Sequence, residues 1–514
     1  MNWELVVLII YFTLMLGIGI FLFFKSKGNS DKDYFLGGKN MGPWVTAMSA
    51  QASDMSAWLL MGLPGSILAF GLGKVWIGVG LAIGTALNWI LIARRLRCFS
   101  EAAGDSITLP QYLSNRFATK SKSLQVTCAI VFLVCFTVYV ASAFVAGTKV
   151  FTALFPDIPP VVAMLIFAAI LIVYTFLGGY KAVCWTDFFQ GLLMIVAVLA
   201  VPIIIVVTKE LNFAKLGDVI THEGTKYTFA TNPFKVDPRD IINGLAWGLG
   251  YFGMPHILVR FMSIKKPSMV KKSATVAIIW VVLALVAVVF IAMFGRILVG
   301  EKLITSNSSD MVFVQLARDI FPAGVAGILL AAIIAASMST ADSQLLVASS
   351  SFTSDIYKPI IRKKASEKET MWVGRIVVLI VSAVAFVIAL LSVLEVTKAA
   401  TAIMQLVENA WAGFGSAFGA VVILSVFWRR FTYKGALAGV IAGALTDVLW
   451  LTLFTNSLES IFGVRTYIVA TGVYELIPGF IISMLVAVIV TLIDKAPAKE
   501  VTDIYDEATA PSKD

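Results

Sequence analysis

Apolar residues occur along this chain in long runs that are separated by short polar segments. The plainest run extends from Trp3 to Phe24 and contains no charged residue after Glu4. A helix that crosses the hydrocarbon core of a bilayer needs about 20 predominantly apolar residues, so each run of this length predicts one membrane-spanning helix. The pattern predicts thirteen such spans, at residues 3–24, 43–70, 75–95, 124–151, 160–179, 182–208, 239–262, 274–297, 322–350, 371–394, 399–428, 435–454 and 469–493.

The composition indicates an all-α polytopic membrane protein that lies in a lipid bilayer. Of the 514 residues, 59% are hydrophobic and 14% are charged, whereas about a quarter of the residues in soluble proteins are charged. The formal net charge of +9 does not indicate a nucleic-acid partner, because most of the basic residues lie between the predicted spans.

Lys and Arg residues are distributed unevenly between the two sides of the predicted membrane. With the N-terminus outside, the segments that face the cytoplasm carry 27 of the 40 Lys and Arg residues, and the external segments carry 12. Because cytoplasmic loops carry an excess of basic residues, this distribution predicts an N-out, C-in orientation with an odd number of spans. The polar segment at residues 495–514 is rich in Pro and Ala, and we expect it to be a mobile cytoplasmic tail.

Two predicted spans contain residues that interrupt a helix. The second span has polar residues at 52–56 and the sequence Gly-Leu-Pro-Gly at 62–65, and the seventh has Gly-Leu-Gly-Tyr-Phe-Gly at 248–253 followed by Pro255. Glycine also allows close helix packing in membranes. The matched placement, five spans apart, favours instead two inverted repeats that each open with an interrupted helix, which is typical of transporters that bind solute near the bilayer midplane.

Polar residues inside the spans are candidates for binding an ion. Asp54 lies in the interrupted second span, where it can stabilise a cation, accept backbone N–H groups as a helix cap, or do both at once. Residues 337–343 of the ninth span contain four hydroxyl residues and one Asp, more than bonding back to helix carbonyls explains. Sodium is a hard cation that takes oxygen ligands, and these segments supply them. Glu408 and Asp447 also fall within spans, and we assign neither a role.

Six segments carry a more specific signal, at residues 49–65, 178–187, 247–256, 338–340, 409–415 and 475–480. They closely resemble the bacterial sodium/proline symporters of the sodium/solute symporter family, and the likeness covers nearly the whole chain. The resemblance implies one transporter domain at 1–494 in the bacterial cytoplasmic membrane. It implies the LeuT-type five-plus-five inverted-repeat fold, with an extra helix at 3–24, repeats at 43–208 and 239–428, and two C-terminal helices at 435–493.

The resemblance also implies roles for particular residues. The sodium site would consist of the carbonyls of Ala52, Met55 and Ala336 and the hydroxyls of Ser339 and Thr340. Two acidic residues would support that site or its inward path, Asp54 and Asp187. The substrate pocket would consist of Trp58, Tyr139, Trp247, Tyr251, Phe252 and Pro255. Aromatic walls suit the pyrrolidine ring of proline, and the N-terminus of a half-helix suits its carboxylate.

The sequence therefore predicts sodium-coupled symport of L-proline into the cell by alternating access, with sodium as the co-transported ion and no organic cofactor. The nearest alternative is a sodium symporter for another amino acid, a betaine or a carboxylate such as pantothenate. A polytopic membrane enzyme would need a nucleophile with its base, or a metal cluster, and the sequence has no HExxH, paired His or GxSxG pattern. A channel would need a repeated pore signature, which the sequence also lacks.

Overall fold

The structure is a computed structural model that describes residues 3–25, 31–177, 179–395, 402–462 and 464–510. Helices dominate the described residues, as the apolar pattern predicts. One antiparallel hairpin, in which β1 (Ile220–His222) pairs with β2 (Thr225–Tyr227), lies in the long polar loop that follows residue 208. Residues 399–401 of the predicted eleventh span and residues 511–514 of the predicted tail lie outside the described residues.

The chain before this hairpin forms the following α-helices: α1 (Trp3–Lys25), α2 (Asp31–Leu36), α3 (Pro43–Ala57), α4 (Leu63–Phe70), α5 (Val75–Leu87), α6 (Arg94–Ala102), α7 (Leu109–Arg116), α8 (Ser123–Leu154), α9 (Pro160–Leu177) and α10 (Tyr180–Thr208). Two π-helical segments connect neighbouring helices, Trp58–Gly62 between α3 and α4 and Asn88–Ala93 between α5 and α6.

The chain after the hairpin forms α11 (Pro238–Gly250), α12 (Pro255–Ser263), α13 (Val270–Thr305), α14 (Val312–Ile320), α15 (Ala323–Ser351), α16 (Glu367–Glu395), α17 (Ala402–Phe414), α18 (Ala420–Phe427), α19 (Tyr433–Leu453), α20 (Ser457–Phe462), α21 (Leu476–Ile493) and α22 (Lys499–Thr509). Further π-helical segments extend α15 at Phe352–Ile361 and join α17 to α18 at Gly415–Gly419. Short 3-10 turns lie at Gly37–Lys39, Leu72–Lys74, Phe213–Gly217, Pro267–Met269 and Ser309–Met311.

Local sequence determines where several of these helices begin. Thr108 accepts a hydrogen bond from the Gln111 N–H (3.1 Å) at the start of α7, and Asp237 accepts one from the Arg239 N–H (2.8 Å) at the start of α11. Pro238 is the first residue of α11, a position where the missing N–H of proline costs no helical hydrogen bond. These caps satisfy backbone donors that a helix otherwise leaves free in its first turn.

Ten helical stretches of the described residues are long and apolar enough to cross a membrane. Their outward faces carry large apolar side chains such as Ile90, Val134 and Val196, which are 64%, 60% and 62% exposed. Exposed apolar surface on this scale indicates contact with lipid. The other three predicted spans correspond to α9, whose apolar stretch is shorter, and to the interrupted pairs α3–α4 and α11–α12. The count of thirteen spans stays a prediction.

The interrupted helices lie in the interior of the molecule. Helix α3 packs against α10, α12, α13 and α15, and α11 packs against α5. Every residue from Val45 to Ala57 is buried, although this stretch includes Ser49, Gln51, Ser53 and Asp54. Buried polar groups are costly unless they have hydrogen-bond partners or bind an ion. The polar part of α3 is therefore the strongest candidate for an ion-binding site.

The C-terminal segment differs from the mobile tail that the sequence predicts. Residues 499–509 form helix α22, whose residue Val501 is buried and whose Ile504, Tyr505 and Ala508 pack against the core. These four residues recur at the spacing of one helical face. The face is short and lies between charged residues, which is why its composition resembles that of an unstructured tail.

Polar contacts dock α22 onto the ends of two other helices. Arg429 forms two hydrogen bonds with Asp506 (2.8 and 2.7 Å), which lower the pKa of that carboxyl below its ordinary value. The Tyr505 hydroxyl donates to the Phe427 carbonyl (3.0 Å) at the end of α18. Arg116, at the end of α7, donates to a carbonyl of α22 and lies over the Tyr505 ring at 5.4 Å. The docked helix thus joins the N-terminal and C-terminal halves of the chain.

Candidate ion and solute site

The first interruption is at Ser56, near the C-terminal end of α3. Its φ of 44° and ψ of −175° do not belong to an α-helix, and positive φ is strained for a residue other than glycine. The Ser56 hydroxyl offsets part of this strain by accepting a hydrogen bond from the Trp58 N–H (3.1 Å). Before the break, the Ala52 carbonyl faces α15, Ser49 contacts Asp187 of α10 and Asp54 contacts Tyr251.

Three of the predicted sodium ligands come together between α3 and α15. The Ser339 hydroxyl donates to the Ala52 carbonyl (2.8 Å) and lies 3.3 Å from the Ala336 carbonyl. The Met55 carbonyl accepts the Trp58 N–H at the break. The Thr340 hydroxyl is buried and has no hydrogen-bond partner among the described residues. All these groups are neutral oxygens, the kind of ligand that a hard monovalent cation accepts.

Asp54 connects this interruption to the second one. Its side chain is only 4% exposed, and one carboxylate oxygen accepts a hydrogen bond from the Tyr251 hydroxyl (2.6 Å). The other carboxylate oxygen has no hydrogen-bond partner among the described residues. No backbone N–H in that part of the chain donates to Asp54, so its contacts favour the ion-related interpretation over a helix cap.

The second interruption lies between Gly250, where α11 ends, and Pro255, where α12 begins. In a continuous helix the Tyr251 N–H would donate to the Trp247 carbonyl, but here it is directed to the Leu249 carbonyl. Side chains from other elements donate hydrogen bonds to the backbone carbonyls of this segment. The Trp411 indole N–H donates to Trp247 (2.8 Å), and the Asn88 amide donates to Tyr251 (3.0 Å).

A small cavity lies between the two interruptions. It is lined by Asp54, Met55, Trp58, Leu81, Tyr139, Trp247, Tyr251, Val407 and Trp411. Four predicted pocket residues thus line it together, whereas Phe252 and Pro255 are buried but do not. Leu81, Val407 and Trp411 are not among the pocket residues that the sequence predicts. Trp411 falls in a family-like segment, but an aromatic residue in an apolar run does not reveal which side it faces.

Indole rings form one continuous wall of this cavity. The rings of Trp58 and Trp247 stack with centroids 5.4 Å apart and planes at 30°, and Trp247 stacks in turn on Trp411 at 6.3 Å and 28°. The indole N–H of Trp58 points at the Met404 sulfur, at 2.7 Å. Stacked aromatic rings contribute about 0.5–1.5 kcal/mol per pair beyond area burial, and their flat faces suit an apolar ring.

Asp187 lies in a second buried polar group on the other side of α3. It accepts hydrogen bonds from the Ser49 hydroxyl (2.7 Å) and from Arg260 (2.8 Å), and Arg260 also donates to Ser343 (2.5 Å) and to the His256 carbonyl (2.5 Å). Both members of this ion pair are essentially inaccessible. Burying an ion pair is favourable only with such additional hydrogen bonds.

Arg260 is a site residue that sequence reasoning missed. The distribution of basic residues assigns it to a cytoplasmic loop, but it lies within α12 and is 1% exposed. Its position inside the predicted seventh span is the signal that could have found it, because an Arg within a span requires a buried partner.

Two interrupted helices that meet at an aromatic cavity, beside a cluster of buried oxygen atoms, are characteristic of a secondary membrane transporter. Comparison with known proteins agrees with this class. A model of the sodium:solute symporter family matches residues 34–443, and the chain belongs to that family. The resemblance carried by the six sequence segments is confirmed, and the family is one of transporters rather than enzymes.

Curated relatives match nearly the whole chain. Sodium/proline symporter 2 of Staphylococcus saprophyticus is 41% identical, over 98% of this chain and 96% of the relative. The sodium/proline symporter of Escherichia coli is also 41% identical, with the same coverage of 98% and 96%. The high-affinity proline transporter PutP of Bacillus subtilis is 40% identical, over 96% of this chain and 98% of the relative.

Two solved structures share the fold. A sodium-coupled sialic acid symporter in a substrate-bound, outward-open state has a TM-score of 0.72 and 19% identity, and the match covers 96% of this chain and 98% of that one. Mhp1, a nucleobase-cation-symport-1 family transporter in a closed conformation, has a TM-score of 0.52 and 13% identity over 94% and 99%. These likenesses confirm the predicted LeuT-type fold class. With the bacterial relatives and the ten apolar stretches, they identify a multi-pass protein of the bacterial cytoplasmic membrane.

We expect Asp54→Ala and Asp54→Asn to abolish sodium-dependent uptake of the predicted solute, L-proline, while the protein still reaches the membrane. The reason is that both substitutions remove the negative charge between the two interruptions. Uptake in whole cells and the amount of protein in isolated membranes measure the two effects separately. Asp447→Asn is the matched control, since Asp447 is also buried and also accepts one hydroxyl hydrogen bond, from Ser416 (3.2 Å). Near-normal uptake by Asp54→Asn would show that the charge is not required.

Proposed function

We propose that this protein takes up L-proline by coupling its entry to the inward movement of sodium, with alternating access of one central site. The observation that carries the proposal is that Asp54 and Met55, in the segment that presents the ion ligands, also line the aromatic cavity. An ion bound by this segment and a solute in the cavity would therefore touch the same short piece of chain. The names of the relatives that match over nearly the full length support proline as the solute.

The proposed sodium ligands are the carbonyls of Ala52, Met55 and Ala336 and the hydroxyls of Ser339 and Thr340. A hydroxyl oxygen has two lone pairs, so Ser339 can donate to a carbonyl and still coordinate a cation. The unpartnered Thr340 hydroxyl fits the same role. Asp54 is next to these groups, and no cationic side chain of the described ranges forms an ion pair with it. It supplies negative charge close to the ion.

The proposed proline pocket is the cavity between the interruptions. Trp58, Tyr139, Trp247 and Tyr251 line it and offer aromatic surface to the apolar ring. Helix α12 begins beside the second interruption, and the free N–H groups of a helix N-terminus attract a carboxylate. Phe252 and Pro255 belong to this turn, and we propose that they act by shaping it.

The organisation of the chain is part of the proposal. Residues 43–208 and 239–428 form the two inverted repeats, because each begins with an interrupted helix and the two interruptions meet through Asp54 and Tyr251. The helix at 3–24 precedes the repeats, and the helices at 435–493 follow them. Asp187 lies on the inward path of sodium, where its pairing with Arg260 keeps the buried charge neutral.

In proteoliposomes with an inward sodium gradient, we expect uptake of L-proline, and with potassium alone we expect none. The physical reason is that the segment with the ion ligands also lines the solute cavity. A bound sodium ion holds this segment in the position that the solute needs. Radiolabelled proline uptake at equal ionic strength is the measurement. Equal uptake in the two salts would end the symport proposal. Sodium-driven uptake of a betaine, pantothenate or another amino acid in place of proline would reject only the solute.

We expect Ser339→Ala and Thr340→Ala to raise the sodium concentration for half-maximal uptake at least tenfold. A hydrogen bond to a charged group contributes roughly 1.5–3 kcal/mol, and about 1.4 kcal/mol corresponds to a factor of ten. Proline affinity should recover at saturating sodium, because coupling between two ligands is reciprocal, and Thr340→Ser should be milder because it keeps the oxygen. Proline binding across a sodium titration tests this.

Ser337→Ala is the control for these variants, because the Ser337 hydroxyl bonds back to the Ile333 carbonyl (3.0 Å) within the same helix. We expect its sodium dependence to match that of the native protein. A proline defect in the other two variants that persists unchanged at saturating sodium would place their hydroxyls in the solute pocket.

We expect Trp58→Ala, Tyr139→Ala and Trp247→Ala to weaken proline binding by several-fold to about a hundredfold, since each removes aromatic surface from the cavity. Phe252→Ala should have a smaller effect, because Phe252 does not line the cavity. Equilibrium binding of proline at saturating sodium is the measurement. Unchanged affinity in all three cavity variants would place the pocket elsewhere.

A further inference from the structure

Helix α17 packs directly on the second interruption. Gly250 is the last residue of α11, and a Cβ atom at this position would lie only 1.9 Å from the Trp411 indole nitrogen. A Cβ atom on Gly253 would lie 2.4 Å from the Phe414 carbonyl oxygen. Glycine at both positions lets the backbone of the interruption touch α17, so the end of α11 cannot move without Trp411.

Trp411 also replaces a hydrogen bond that the interruption removes. Its indole N–H donates to the Trp247 carbonyl (2.8 Å), which has lost the Tyr251 N–H as a helical partner. A backbone carbonyl left without a donor in the membrane interior is costly. The indole N–H therefore stabilises this particular end of α11 over other conformations of the same segment.

A chain of contacts leads from Trp411 to the ion ligands. The Trp411 ring is perpendicular to the Tyr251 ring, with centroids 5.0 Å apart and planes at 86°. The Tyr251 hydroxyl donates to Asp54 (2.6 Å). Asp54 lies in the segment between the Ala52 and Met55 carbonyls. The position of Trp411 on α17 thus affects where Tyr251 holds the ion-binding segment.

We propose that Trp411 is a positioning residue that couples sodium binding to the solute site: its indole N–H fixes the end of α11, so that Tyr251 can hold Asp54. This inference rests on the proposed function. Trp411 acts through Tyr251, and its ring is a part of the cavity wall that Phe largely preserves. Because coupling is reciprocal, loss of this N–H weakens sodium binding and reduces the gain in solute affinity that sodium brings.

The variant that tests the proposal is Trp411→Phe, which keeps an aromatic ring and removes the N–H. Trp280→Phe is the matched control, because the Trp280 indole N–H also donates to a buried carbonyl, that of Gly191 (3.2 Å), between α13 and α10. Both substitutions remove one buried indole–carbonyl hydrogen bond, but only the Trp411 bond ends at the second interruption, whereas the Trp280 bond ends at Gly191 of α10. Tyr251→Phe removes the next contact in the chain and serves as a second variant if Trp411→Phe does not fold.

Two measurements on the full-length protein separate coupling from pocket shape. The first is proline affinity at low and at saturating sodium, from which the ratio of the two affinities is taken. We expect this ratio to fall about threefold to tenfold in Trp411→Phe, the range of one hydrogen bond, and to stay unchanged in Trp280→Phe. The same substitution in a Tyr251→Phe background should add little, because both act on one path.

The second measurement needs no solute. Sodium that binds the native state raises the melting temperature, and we expect a smaller rise in Trp411→Phe than in the native protein and in Trp280→Phe. An unchanged sodium effect in both measurements would overturn the inference. So would an affinity loss that is equal at all sodium concentrations, since that result makes Trp411 only a solute contact. If the native protein shows sodium stabilisation but no proline binding, the solute proposal fails and this second measurement still decides the role of Trp411.

Discussion

A helix that is interrupted inside a membrane needs new partners for the backbone groups that the interruption frees, because no water is present to serve them. Much of the architecture around the site follows from this constraint. Ser56 accepts the Trp58 N–H at the first interruption, and Ser339 donates to the Ala52 carbonyl beside it. At the second interruption, Asn88 and Trp411 supply the donors. Residues far apart in the chain are held at the centre of the molecule because they replace helical hydrogen bonds.

Asp54 in α3 and Asp187 beside α3 are buried carboxylates that are neutralised in different ways, and this difference separates their proposed roles. Asp187 has a permanent cationic partner, Arg260, and two hydroxyl donors, so its charge is balanced within the protein. Among the residues that the structure describes, the one hydrogen-bond donor to Asp54 is the Tyr251 hydroxyl. A carboxylate with a neutral partner retains the larger attraction for a mobile cation, and it is this carboxylate that lies beside the neutral oxygen ligands and the cavity. The distribution of charge therefore favours ion binding at α3 and α15 over binding at the Arg260 pair.

The sequence allowed the interrupted helices to be predicted, because Gly and Pro together within an apolar span weaken the helix at that point. The cavity residues Trp58, Tyr139, Trp247 and Tyr251 were expected only from the resemblance to the family. It did not reveal Arg260 as a buried residue, since an Arg near the end of a span is equally compatible with a cytoplasmic loop. The contact that defines its environment is with Asp187, in a different helix. Trp411 was missed for a related reason. Hydrophobic periodicity shows that a residue is in a helix, but not which distant carbonyl accepts a hydrogen bond from its side chain. Helix α22 was missed because four apolar positions among charged residues are too few to raise the mean hydropathy.

The packing of Gly250 against Trp411 has a consequence for how the pocket tolerates change. Neither residue can be replaced by itself without altering the contact, because the glycine has no space for one additional carbon atom and the indole occupies that space. Tyr251 is similarly constrained, because its hydroxyl donates a hydrogen bond to Asp54. Of the cavity residues from the surrounding helices, Leu81 and Val407 present only aliphatic surface and no polar atom. We therefore expect these two aliphatic positions to accept substitution more readily than the residues that support the backbone, and changes there to alter solute preference at the smallest structural cost.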